Sequence, residues 1–196
     1  MVVVLLTNHT RRSMNKIQRV SLFLRFVFQI AFVVLPLMLA LYWIFAPQLN
    51  LNSMRYNLPI ISFIPDGIEI LHPITGTDVL WGFLIGLLPT TIEMMILYFL
   101  IKLFKLYEQG KIFTLPNVEC LKKIGICMLI NQGASLIYEA LISFVLTMHN
   151  PAGHRMASVF FGTYDIYNIV TAIMVIVISW IMAEGCKLHE EQQLTV

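Results

Sequence analysis

Val79-Leu-Trp-Gly-Phe-Leu-Ile-Gly-Leu-Leu-Pro-Thr-Thr-Ile-Glu-Met-Met-Ile-Leu-Tyr-Phe-Leu-Ile-Lys-Leu-Phe104 is apolar over almost its whole length, with Glu93 and Lys102 as its only charges. A bilayer crossing needs roughly 20 such residues in a helix. A helix is required because an unpaired backbone amide in hydrocarbon costs several kcal/mol. Three further runs satisfy the same test: 20–45, interrupted by Arg25, Gln29 and Pro36; 124–148, carrying Asn131, Gln132 and Glu139; and 164–183, carrying Asn168 and Thr171. The expected fold is therefore all-α and polytopic, a bundle of four transmembrane helices. The expected organisation is a basic segment 1–19, a membrane domain 20–186 and a tail 187–196.

The lysines and arginines orient these spans. Arg11, Arg12, Lys16 and Arg19 precede the first; Lys102, Lys105, Lys111, Lys122 and Lys123 surround the link between the second and third; Lys187 follows the fourth. Only Arg55 and Arg155 fall on the other side. Such an excess places both termini and the loop 105–123 in the cytoplasm, and the loop 46–77 outside. Trp43, Trp81, Tyr42 and Tyr164 then form an outer aromatic belt, and Trp180, Tyr98 and Tyr107 an inner one. In the outer loop, Pro65-Asp-Gly67 between short apolar runs reads either as a small hairpin over 61–70 or as an irregular proline-rich loop. In the inner loop, Gly110 reads as a helix stop and Thr114 as the cap of a helix with Pro116 in its first turn. That start would present Asn117, Glu119, Lys122 and Lys123 to the cytoplasm.

Composition narrows the function classes. With 58% hydrophobic and 12% charged residues, the chain is far from a soluble domain, and a net charge of +2 gives no ground for direct nucleic-acid binding. The partner it does imply is the lipid bilayer. Cys120, Cys127 and Cys186 are odd in number and lie on the inner half of the predicted topology, which argues against a disulfide framework. The short Met1–Leu6 run is followed by basic residues, not by a cleavage site, so the first span reads as an uncleaved anchor.

Polar residues inside spans are costly and mark packing or function. Gly82, Gly86, Thr90 and Glu93 form one helical stripe, whose Gly-x-x-x-Gly permits close approach of another helix, in this chain or in a second copy. Gln132, Ser135, Glu139 and Ser143 form a second stripe; Tyr164, Asn168, Thr171 and Ser179 a third; Arg25 and Gln29 are one turn apart. At a rise of about 1.5 Å per residue, Gln29, Glu93 and Gln132 fall roughly 10–12 Å from the inner end, and Glu139 and Asn168 roughly 19–24 Å. Converged, these faces would gather Arg25, Gln29, Glu93, Gln132, Glu139 and Asn168 into a polar interior with an Arg25–Glu93 pair. Such an interior is either a ligand, ion or proton site or hydrogen bonding that fixes helix register.

His149 and His154 share an outer loop ending near Asp165, and a metal site joining them to His72 is one reading. The spacing matches no strong metal motif, solvated loop histidines are the other reading, and no metal ligand set or cofactor is assigned. Gly-x-Ser-x-Gly, His-Glu-x-x-His and phosphate-loop motifs are all missing from the sequence, which weakens an enzymatic reading and favours a non-enzymatic protein, with an intramembrane enzyme as the third class.

Two segments carry a family resemblance: Gly110-Lys-Ile-Phe-Thr114 continuing through Asn117 to Leu121-Lys-Lys-Ile-Gly125, and Ala183-Glu-Gly-Cys-Lys-Leu-His-Glu-Glu-Gln-Gln-Leu-Thr-Val196. In the second, Glu184, Gly185, Leu188, Glu191, Leu194, Thr195 and Val196 occupy the family's places. With the four-span layout, the chain resembles a bacterial membrane family, domain of unknown function family 2975, over about residues 20–196; Pro116, where an acidic residue is expected, departs from it. The resemblance implies the cytoplasmic (inner) membrane of a bacterium and carries no catalytic residues. Members are often encoded beside small helix-turn-helix regulators, which implies a sensor or sequestering role toward a cytoplasmic regulator. Glu191, Leu194, Thr195 and Val196 then become candidate partner-binding residues. The alternative is a small transporter or immunity-type protein using Glu93 and Glu139.

Overall fold

The computed structural model describes residues 2–47, 64–65, 68 and 70–194, with side chains from 16 to 188. Four helices account for nearly all of it: α1 Val2–Phe45, α2 Gly76–Glu108, α3 Leu115–Thr147 and α4 Thr163–Leu194. There is no strand among the described residues. Each helix is long and apolar enough to cross a membrane, over Lys16–Phe45, Gly76–Glu108, Leu115–Thr147 and Thr163–Leu188. The four expected spans fall on these helices, the third running one residue past the end of α3, and the helices are longer at most other ends. The basic segment 1–19 continues α1 from Val2, and the inner loop shrinks to 109–114. Most of the 61–70 segment read as a hairpin or loop (61–63, 66, 67 and 69) lies outside the described residues, as do Thr195 and Val196.

Proline sits inside two helices, Pro36 in α1 and Pro89 in α2. An internal proline removes one backbone donor and crowds the preceding turn. Beside Pro89, the Thr90 hydroxyl donates to the Gly86 carbonyl at 2.8 Å and the Thr91 hydroxyl to the Leu87 carbonyl at 2.6 Å. The carbonyl that Pro89 leaves without its helical donor is that of Ile85, so the two hydroxyls bond neighbouring carbonyls on the next positions of the turn. Thr90, counted in the sequence as part of a polar face, is thus spent within its own helix.

The chain divides into two units, each built from parts of all four helices. The unit formed by 33–93 and 129–169 has a core of Leu39, Trp43, Ala46, Ile64, Ile68, Ile142 and Leu146. Here α1 lies on the Gly82–Gly86 face. A Cβ on Gly82 would fall inside the Trp43 ring surface, and one on Gly86 would sit 2.8 Å from a Leu39 methyl. Trp43 is 1% exposed. The aromatic-belt reading fails for it because the glycine gap admits the ring; Trp81 and Tyr164 are exposed, as a belt requires.

The unit formed by 1–32, 94–128 and 170–196 is centred on Leu103, Cys120 and Ile124, with Phe99, Leu106, Tyr107 and Val175 packed around them. Phe28 of α1 meets Phe104 of α2 with ring centroids 5.5 Å apart. Gly125 lets α3 approach α4: its Cβ would lie 2.6 Å from Ile176 and 3.1 Å from the Ala172 carbonyl oxygen. The three cysteines are free and buried.

Candidate functional site

Helix α2 ends where Gly110 takes a φ of 75°, a conformation glycine adopts without strain. The Lys111 amide then donates to the Leu106 carbonyl at 3.1 Å and the Gly110 amide to Tyr107 at 3.0 Å. The Asn117 and Val118 amides bond the Thr114 carbonyl, so Thr114 is the cap position of α3, although its hydroxyl is buried with no hydrogen-bond partner. Asn117 does not replace that cap, since its Oδ1 is also buried without a hydrogen-bond partner; it holds the link in another way. Its amide donates to the Lys111 and Ile112 carbonyls, and it is fully buried, not presented to solvent as the sequence suggested. Loop 109–114 is thereby tied to α3. Phe113 in the loop and Leu115 at the start of α3 are 65% and 53% exposed, and Glu119, Lys122 and Lys123 further along α3 are exposed as well.

Among the described contacts, no two of the six intramembrane candidates pair with each other. The Arg25 guanidinium pairs with Glu108 at 2.5 Å, where the sequence paired it with Glu93. The long arginine side chain reaches the end of α2 instead of its middle. Glu93 hydrogen-bonds Asn131. Gln132 donates to Asp165 at 2.6 Å. Glu139 accepts the Phe160 amide at 2.8 Å. Gln29 and Asn168 are exposed. The buried line of α4 is Ala172, Ser179 and Cys186, spaced by seven, and not Tyr164, Asn168 and Thr171. Residues seven apart stay on one helix face just as residues four apart do, and small ones allow closer packing.

The α3 stripe has a different purpose from the one expected. Glu139, Ser143 and Thr147 recur every four residues, a rise of about 6 Å. Phe160, Ser158 and Met156 recur every two along the segment after α3, and extended chain rises about 6.6 Å over two residues. The two spacings match, so the segment runs antiparallel along the helix face. Glu139 takes the Phe160 amide, Ser143 Oγ takes the Ser158 amide at 2.9 Å and Thr147 Oγ1 the Met156 amide at 3.0 Å. The Thr147 hydroxyl also lies 2.9 Å from the Met156 carbonyl oxygen. Polar side chains here satisfy a backbone that has no strand partner.

At the far end of the same unit, Asp78 sits at the third position of α2. Its Oδ2 accepts the Thr75 amide at 2.9 Å and the Thr75 hydroxyl at 2.7 Å, one half of a capping box. Asp165 does the same for α4, accepting the Gly162 amide at 2.6 Å. Asp78 differs in its other oxygen. Oδ1 is buried without a hydrogen-bond partner and lies 3.6 Å from Nδ1 of His149, on a side chain that is 0% exposed. The His149 ring meets that of His72 edge-on at 5.3 Å. Nδ1 of His72 is 2.9 Å from the Pro73 carbonyl oxygen and Nε2 is 3.1 Å from that of Leu146. Asn150, 1% exposed, holds the two strands of chain together, accepting the Leu71 amide at 3.1 Å and donating to the His154 carbonyl at 3.0 Å. Of this group the sequence drew attention to His72 and His149; Thr75-x-x-Asp78 ahead of an apolar run was the available signal for the aspartate.

Four apolar helices of crossing length, with buried polar groups devoted to caps, helix carbonyls and loop backbone, define a multi-pass all-α membrane protein. The family model described as Protein of unknown function (DUF2975) matches residues 5–196, and the chain belongs to that family. No curated protein and no solved structure matches it.

Proposed function

We propose that the protein is a non-enzymatic membrane sensor or sequestering protein that engages a soluble cytoplasmic regulator through the loop between α2 and α3 and through its C-terminal tail. The observation that carries this reading is the inner loop. Asn117 fixes it, Phe113 and Leu115 are exposed at it, and Lys111 before them and Lys122 and Lys123 further along α3 are exposed too. An exposed aromatic on a segment that also carries exposed lysines suits an apolar and acidic surface, and aromatic anchors dominate binding energy in interfaces. The excess of lysine and arginine around this loop and both termini supports a cytoplasmic location. The transporter reading draws less support, because Glu139 is engaged by the Phe160 amide and Glu93 by Asn131.

The test is capture from native membranes after mild crosslinking, through a tag in the outer loop that leaves the C-terminus free. Expected is a soluble DNA-binding protein, reduced about tenfold by Phe113→Asp and by deletion of Glu191 to Val196. Recovery of the protein alone, or of a partner indifferent to both changes, would sink the reading.

A further inference from the structure

We propose that His72, Asp78 and His149 form a binding site for one divalent transition-metal cation of the zinc class, with a fourth position left for water. The inference is independent of the partner reading above, since it concerns the other unit of the chain and a different measurement.

The donor chemistry comes first. Two imidazoles and one carboxylate are a set that suits Zn²⁺ and similar borderline cations, and three protein ligands plus water is a recurring arrangement. One donor atom from each of the three residues lies within 4.8 Å of the others. Ligands about 2.0–2.1 Å from a tetrahedral ion stand about 3.3 Å apart. Asp78 Oδ1 and His149 Nδ1, at 3.6 Å, are already near that separation. Bringing in the His72 ring takes a shift of about an ångström or a ring rotation.

The Asp78 carboxylate supplies the second, separate observation. Both bonds it accepts fall on Oδ2, from Thr75, and these fix its plane. Oδ1 has no donor and is buried. A buried carboxylate oxygen without a partner is costly, and a cation removes that cost. Orientation of one carboxylate oxygen by neighbouring donors while the other meets the ion is how metal-binding carboxylates are held.

His72 differs from Asp78 in that both of its nitrogens already have neighbours. Its two ring nitrogens each face a backbone carbonyl, of Pro73 and of Leu146. A neutral ring has one N–H to give. Binding therefore requires one nitrogen to leave its carbonyl for the ion while the other keeps donating to its own, which is the usual support for a metal-bound histidine. The His149 side chain is 46% exposed, so an ion has a path in from solvent and room for a water ligand.

The experiment uses the full chain in lipid nanodiscs, purified without a histidine tag and with His9, His154 and His189 all changed to Ala. Zn²⁺ binding is followed by equilibrium dialysis, and Co²⁺ binding by its visible absorption. Expected are one Zn²⁺ per chain and a Co²⁺ spectrum of four-coordinate type. His72→Ala and His149→Ala should each weaken binding by more than about tenfold, the loss caused even by removing an outer partner of a metal ligand. Asp78→Asn keeps an oxygen for the Thr75 cap and should weaken binding with unchanged helix content. His149→Gln, at a half-exposed position, serves if His149→Ala fails to fold. Absence of saturable binding, or binding that survives His149→Ala or His149→Gln, overturns the site and leaves a His149–Asp78 ion pair in its place.

Discussion

Gly82 and Gly86 are one turn apart and face the same helix, yet they meet different atoms. A methyl on Gly82 meets the buried Trp43 ring, which is rigid and enclosed. A methyl on Gly86 meets the end of the Leu39 side chain, 2.8 Å away, which has rotamer freedom to yield. Gly82→Ala should therefore cost about 1–3 kcal/mol, as overpacking does, and Gly86→Ala less than about 1 kcal/mol. Reversible unfolding in mixed micelles, followed by far-ultraviolet dichroism, measures both. Equal losses would mean that the Gly-x-x-x-Gly acts as a uniform groove and that Trp43 is not its filler. The paired glycines were legible in the sequence because their spacing is short and local. Trp43 as occupant was not, because an indole near a membrane end satisfies an interface as well as a gap, and only the third dimension chooses.

At the scale of elements, α3 and the segment after it are held by side chain to backbone bonds at matched spacing. Thr147→Val keeps shape but removes the acceptor of the Met156 amide and the donor facing its carbonyl. The expected cost is about 1–3 kcal/mol for buried groups left unpaired. Hydrogen exchange at the Met156 amide should then accelerate about tenfold for each 1.4 kcal/mol lost locally, while exposed Thr91→Val leaves it unchanged. Undisturbed protection at Met156 would show that the segment is held by other contacts. The existence of the four helices was readable from run length alone, since hydrocarbon thickness sets it. The faces were harder. A helix in lipid lacks the contrast between apolar inside and polar outside that marks a surface helix in water. Residues such as Asn168 and Gln29 therefore looked interior by polarity and are exposed. The α3 stripe was seen correctly as a line, but its partner, a backbone after the helix, leaves no side-chain pattern to read. Asn117 was missed for a related reason: it bonds carbonyls, which every residue has.

For the whole molecule the remaining issue is which side faces the cytoplasm, and the charge distribution bears directly on it. The positive-inside bias counts lysines and arginines near span ends and is insensitive to neighbouring acids. The Lys123–Glu119 and Lys187–Glu184 pairs, both exposed, therefore do not cancel their lysines. Arg25 stays out of the count for another reason: it falls inside the apolar run 20–45 and not beside its end. On the opposite side Arg155 is engaged through Nε with the Asn150 carbonyl at 3.0 Å, a contact that leaves its charge in place. The bias therefore survives the ion pairs among the described residues, and it should place loop 109–114 inside and loop 148–162 outside. Lys111→Cys and Arg155→Cys test this without rebuilding the core, because the native cysteines are all buried and should not react with a membrane-impermeant maleimide. Neither substitution reverses the excess of basic residues. Arg155→Cys should label in intact cells and Lys111→Cys only after permeabilisation. The opposite pattern would invert the molecule, put the Phe113 loop outside, and remove the ground for a cytoplasmic partner while leaving the histidine–aspartate site to be judged on metal binding alone.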